Sequence, residues 1–210
     1  RAGSCMTDVL FVHNNFPGQY RLLASRLAQA EGFRVVAIGS HTASDLPGVI
    51  LQRYRVPPAD IDAVHGFARR FDGECRRAEQ VLYAASALKA AGVRPRIIFA
   101  HPGWGETLPL KQVFPDAKLC VYAEFYYRPE GADVGFDPEF ARFGADGRVR
   151  IAMRNAATLL ALTESDAAVA PTHWQKSLFP AEFQNRIAVI HDGVETERLV
   201  PRLAGFRHPR

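Results

Sequence analysis

Short apolar runs rich in β-branched residues alternate along the chain with longer stretches in which apolar positions return every three or four residues. Residues 8–13 (DVLFVH), 33–39 (FRVVAIG), 49–56 (VILQRYRV), 96–101 (RIIFAH), 118–125 (KLCVYAEF), 167–172 (AAVAPT) and 186–192 (RIAVIHD) read as seven strands. Between the first two, residues 18–32 put Tyr20, Leu23, Leu27 and Ala30 on one helical stripe that closes at Gly32. A long helical region is expected to open after Pro57 and Pro58, with Asp60 as its N-cap and breaks at Gly66 and Gly73, and to stop at Gly92. Helices are expected between the remaining strands. A β-α-β series of this kind predicts an α/β fold, a Rossmann-like parallel sheet with helices on both faces. There is no internal repeat and no low-complexity segment.

In an open parallel sheet, ligands lie beyond the carboxyl ends of the strands, so the residues at those ends carry the chemical interest. Five such loops hold titratable or glycine-rich groups: His13 to Gly18, His101 to Glu106, Glu124 to Arg128, Thr172 with His173, and His191 to Gly193. The fourth strand drives four apolar residues into His101, and Pro102, Gly103, Trp104, Gly105 and Glu106 follow. Pro102 fixes a turn there, and the two glycines let backbone approach a ligand. NNFPGQY offers a helix N-terminus at Gly18 whose free N–H groups suit an anion, although it is not a G-x-G-x-x-G. THWQ reads as a capping box, Thr172 bonding forward and Gln175 back. No H-x-H, H-E-x-x-H or EF-hand spacing supports a metal, and the absence of G-x-S-x-G and of a P-loop argues against an esterase and an ATPase.

Composition changes this picture little. The 210 residues are 48% apolar and 23% charged, ordinary for one large or two small globular domains. Cys5, Cys75 and Cys120 are odd in number and widely spaced, which suits a reducing cytoplasm rather than a disulfide framework or a zinc site. No signal-peptide-like run opens the chain and no apolar run is long enough to span a membrane. Arg1 to Cys5 reads as vector-derived, with native sequence starting at Met6. The net charge is +4. Its arginines gather as Arg69, Arg70, Arg76 and Arg77 in one helical stretch and as Arg142, Arg148, Arg150 and Arg154 in another. Solvated helix faces or peripheral contact with an anionic membrane at its inner face would each account for them. No basic stretch interleaved with aromatics points to nucleic acid.

FVHNNFPGQYRLLA, HPGWGE, VYAEFYYRPEGADVGFDPEF, PTHWQKSLFP and VIHDGVET together resemble the N-terminal domain of a family 4 retaining glycosyltransferase of GT-B architecture, from Val9 to Thr196. The resemblance implies that residues 6–196 form the half that holds a carbohydrate or glycolipid acceptor. A nucleotide-sugar donor would be bound mainly by a second half, and chemistry would occur in the cleft between the two. The family's Asn-Gly-Val-Asp stretch corresponds to HDGVET, with Asp192 in place of the Asn and Glu195 in place of the Asp. The E-x₇-E pair of the donor half does not occur here, so 197–210 is expected to begin a linker to a donor-binding domain absent from this chain. The resemblance implies His101 and Glu124 as catalytic residues, and Gly18, Thr172, His191 and Gly193 on the donor side. His13, Trp104, Glu106 and Tyr126 would serve the acceptor, with Trp104, Tyr126 and Tyr127 offering faces on which a sugar stacks. It implies no cofactor beyond the nucleotide sugar as substrate, a role in polysaccharide biosynthesis, and no activity for this part alone. A nucleotide-sugar epimerase of the same architecture and a non-catalytic Rossmann-like binding module are the alternatives.

Overall fold

The computed structural model describes residues 6–132, 134–137, 139, 144–196 and 199. The stretch expected to be vector-derived, Arg142 and nearly all of the expected linker lie outside the described residues. Seven strands form one parallel sheet: β1 (Thr7–Val12), β2 (Phe33–Ser40), β3 (Val49–Tyr54), β4 (Pro95–Ala100), β5 (Lys118–Tyr122), β6 (Ala167–Ala170) and β7 (Ile187–Val189). Their order is β3-β2-β1-β4-β5-β6-β7. The helices are α1 (Arg21–Gln29), α2 (Arg69–Ala90), α3 (Leu110–Val113), α4 (Ala145–Met153), α5 (Ala156–Glu164), α6 (His173–Leu178) and α7 (Ala181–Gln184).

The sheet has a core on each face. Leu10 and Val12 join Val36, Ile38, Val81, Leu88, Ile98 and Leu119 on the side of α2. Val9 and Phe11 join Tyr20, Ala24, Val35 and Ala37 on the side of α1. Successive residues of β1 thus serve opposite cores, which explains why its sequence is apolar without alternation. In α2 the buried positions Glu74, Ala78, Val81, Ala85 and Leu88 return at three- and four-residue steps, the face a surface helix lays on a sheet.

Three local expectations are corrected. The long helix starts at Arg69, not after Pro58, and Gly73 lies within it unbroken. Asp60 caps no helix: its Oδ1 accepts the Asp62 N–H at 2.9 Å, a local turn that competes with helix initiation. The stripe of α1 is also shifted. Tyr20 sits in a preceding 3₁₀ turn and Ala24 is buried, while Leu23 and Ala30 face outward.

Strand order reverses direction between β1 and β4, and the carboxyl ends of these two neighbours carry His13 and His101. The His101 N–H donates to Val12 O at 3.1 Å. The crevice opened by such a reversal is where doubly wound sheets take ligands.

Candidate active site

Three strand ends share one device. Nδ1 of His13 accepts the Asn15 N–H at 2.9 Å, Nδ1 of His101 the Gly103 N–H at 3.1 Å, and Nδ1 of His191 the Gly193 N–H at 3.0 Å. A ring nitrogen that accepts carries no proton, so each neutral ring holds its proton on Nε2. Nε2 of His101 lies 2.8 Å from Glu124 Oε2, which also accepts from Gln19 Nε2 at 3.3 Å. The hydrogen bond from His101 outweighs burial and holds the Glu124 carboxyl below its usual range. His13 stands behind this pair, its ring edge-on to that of His101 at 5.3 Å. Burial first, and then the neighbouring His101, pushes the His13 pKa down to about 4, so its ring is neutral near pH 7. Gly18 covers that ring at a φ of +45°, and a Cβ there would fall 2.9 Å from His13 Cε1. The glycine expected to cradle an anion is therefore also required by the packing of His13.

The loop after His101 is docked on α2. Pro102 to Trp104 make one 3₁₀ turn, and Gly105 follows at a φ of +87° with its α-carbon pressed on the Glu74 backbone. Arg70 Nη2 donates to Gly103 O and Arg77 Nη1 to Trp104 O, both at 2.9 Å. Arg70 Nε also donates to Glu74 Oε1 at 2.8 Å, and Arg76 pairs with Asp72 at 2.6 Å. Of the four α2 arginines expected to form a solvated or membrane-facing surface, Arg70, Arg76 and Arg77 are thus engaged within the molecule and only Arg69 is exposed, whereas Arg148, Arg150 and Arg154 of the second group are exposed.

Glu106 is not open to an acceptor. It is wholly buried, its Oε1 accepts the Tyr54 hydroxyl at 2.5 Å, and its Oε2 finds no partner among the described residues. Burial raises its pKa to about 7 against the opposing effects of Tyr54, Arg77 and the Asn14 N–H. Tyr126 is likewise turned away, its ring packed on Phe179 at 5.6 Å. Of the two tyrosines expected to offer sugar faces, Tyr127 is the one on the site, its N–H and C=O both held by the Asn155 side chain at 2.9 Å.

A small cavity of about 80 Å³ results, lined among others by Arg70, His101, Trp104, Tyr122, Glu124 and Tyr127. Phe125 packs between Tyr127 and the exposed Trp174, extending an aromatic rim. On the α1 side a larger apolar cavity of about 380 Å³ lies among Leu23, Phe99, Cys120, Tyr122 and Ile190, with Gln19, His191 and Asp192 also on its lining. Asp192 accepts the Tyr122 hydroxyl at 2.7 Å, so at this position a carboxylate serves as an acceptor. Thr172 does cap α6, accepting the Gln175 N–H at 3.1 Å, but Gln175 answers through its side-chain oxygen at 2.8 Å rather than by bonding back to the Thr172 backbone.

His101, Trp104 and Glu124 therefore meet in one place, with His13 behind them. Thr172, Gly18, His191 and Gly193 stand at other loops of the same sheet edge. Gln19, Arg70, Tyr122 and Asn155 join the site without having been singled out for it. Among the described residues no three His, Cys, Asp or Glu side chains gather to hold a metal, and no helix is long and apolar enough to cross a membrane.

A family model described as "Glycosyl transferase family 4 group" matches residues 31–199. Among solved structures, the chain is similar to the catalytic domain of starch synthase IV from Arabidopsis thaliana bound to ADP and acarbose. That likeness is at 14% identity and a TM-score of 0.50, over 91% of this chain and 52% of that one. It is also similar to UDP-GlcNAc 2-epimerase from Methanocaldococcus jannaschii, at 12% identity and a TM-score of 0.48, over 87% of this chain and 45% of that one. The chain spans about half the length of these structures. No curated protein matches it.

Proposed function

The chain belongs to the glycosyl transferase family 4 group, and from that premise we propose that it is the acceptor-holding part of a hexosyltransferase that uses a nucleotide-sugar donor. The observation that carries the reading is the His101–Glu124 pair, fixed at 2.8 Å on the floor of an aromatic-rimmed cavity at the strand-order reversal. His101 and Gln19 both engage Glu124 Oε2, which leaves Oε1 to orient a hydroxyl of a carbohydrate or glycolipid acceptor. Trp104 and Tyr127 offer faces on which a sugar ring stacks.

In the transfer the acceptor oxygen bonds to the anomeric carbon as the bond from that carbon to the diphosphate oxygen breaks, and the hydroxyl proton leaves with the diphosphate. This half contributes placement and hydrogen bonding. Backbone N–H groups at Gly18 and in the His191–Gly193 turn lie on the edge where the diphosphate would approach. The nucleotide sugar is a substrate, and the reading calls for no cofactor. The free Cys75 and Cys120 suit a cytoplasmic setting.

In the enzyme that unites this chain with a donor-binding half, Glu124→Gln should lower turnover about a hundredfold while leaving the melting temperature near that of the parent. The 210-residue chain alone should transfer no sugar from a panel of nucleotide sugars. Turnover by the chain alone, or an unaffected Glu124→Gln enzyme, would overturn the reading. Interconversion of nucleotide sugars without any acceptor would make the protein an epimerase instead.

A further inference from the structure

Two guanidinium groups share the ring of Tyr127. Arg70 Cζ lies 5.3 Å and Arg154 Cζ 5.4 Å from its centroid, and Arg70 is also 5.6 Å from the centroid of Trp104. The arrangement is held in place from behind. Asn155, 2% exposed, grips the Tyr127 backbone at both polar groups, while Glu74 and Gly103 O fix Arg70. Arg154 is exposed and pairs with no carboxylate among the described residues.

The nearby charges are those of Arg70, Arg77 and Arg154 against Glu74 and Glu124, and each of these two carboxylates already has a partner in Arg70 or His101. A guanidinium stacked on an aromatic face keeps its in-plane N–H groups for an oxyanion, and matches a carboxylate or phosphate with two parallel hydrogen bonds. The adjoining cavity, lined by Arg70 and Tyr127 and about 80 Å³ in volume, has room for several waters and so for an anionic group of that size.

We infer that Arg70 and Arg154, set around Tyr127, form an anion seat, and that the acceptor is a sugar bearing a carboxylate or a phosphate. The inference rests on the reading of this edge as the acceptor site and narrows it to an anionic class. Glu124 then orients the reacting hydroxyl while the seat holds the charged group of the same molecule.

The chain has two tryptophans, Trp104 and Trp174. In a Trp174→Phe background, Trp104 alone reports binding through its fluorescence, because Arg70 stacks on it. Glucuronate and glucose 6-phosphate are expected to bind at least about tenfold more tightly than glucose at low salt, and the margin should shrink as salt screens it. Adding Arg154→Gln should abolish that margin, and Arg154→Lys should recover only part of it, since lysine keeps the charge but not the stack. Equal binding of neutral and charged sugars would overturn the anion seat and leave the acceptor reading standing. Inorganic phosphate binding as tightly as glucose 6-phosphate, with the margin lost in Arg154→Gln, would uphold the seat and remove the sugar from the reading. A margin untouched by Arg154→Gln, or no binding of any probe, would overturn the inference.

Discussion

Asparagine and glutamine each reproduce one half of His101. Asparagine Oδ1 stands where Nδ1 stands and can accept the Gly103 N–H, whereas the glutamine amide reaches as far as Nε2 and can donate to Glu124. In the enzyme with its donor half, His101→Asn is therefore expected to melt close to the parent with turnover lowered about a hundredfold. His101→Gln is expected to lose about 1 kcal/mol of stability and to keep more of the turnover. Melting curves and turnover measured side by side check this, and identical behaviour of the two variants would assign the role to ring packing. At this scale His101, Trp104 and Glu124 were legible from their place at strand ends. Tyr126 and Glu106 were not, because the inside–outside alternation that sorts residues along a strand stops where the strand stops. Nor could the alternation of arginine with acids in α2 show that Arg70 and Arg77, two turns apart, would meet carbonyl groups of a loop some thirty residues further on.

The loop carrying Trp104 is shaped as much by α2 as by its own residues. A Cβ at Gly105 would fall 2.3 Å from Glu74 O at a φ of +87°, so the backbone of one element or the other would have to move. Gly105→Ala should cost at least about 3 kcal/mol in denaturant unfolding. Gly73→Ala, inside α2 with nothing within 4 Å of its Cβ, should stabilise by up to about 1 kcal/mol. The same unfolding series compares them, and a well-tolerated Gly105→Ala would mean that loop and helix can part at little cost. The strands were the legible elements, since all seven stand where their apolar runs are. The onset of α2 was misplaced because Asp60 bonds to its own turn and the helix gains a packed face only at Glu74 and beyond. The α1 stripe slipped because Leu23 borders the larger cavity rather than the core.

For the molecule as a whole, two buried groups set opposed pH dependences. His13, depressed to about 4, adds stability that is present above its ordinary value of 6.5 and is lost as pH falls toward 4. Glu106, raised to about 7, adds stability that is full below its ordinary value of 4.5 and is lost as pH rises through 7. Between pH 4.5 and 6.5 the two slopes offset each other. Glu106→Gln keeps an acceptor for Tyr54 and never ionises. It should match the parent at pH 4.5 and exceed it by roughly 3 kcal/mol near pH 8, seen as a growing gap in melting temperature. A gap of the same size at both pH values would show that Glu106 does not titrate in this range. The reversal of strand order has a further consequence, one of timing. Since β1 and β4 pair side by side with α1, β2, β3 and α2 between them in the chain, His13 reaches His101 only after a long loop has closed, an entropic cost met before any contact at the crevice forms. Synthesis runs from the N-terminus, so a growing chain carries His13 and Gln19 long before it carries Glu124, Asn155 or Asp192, and the crevice comes into being only as the last strands join the sheet.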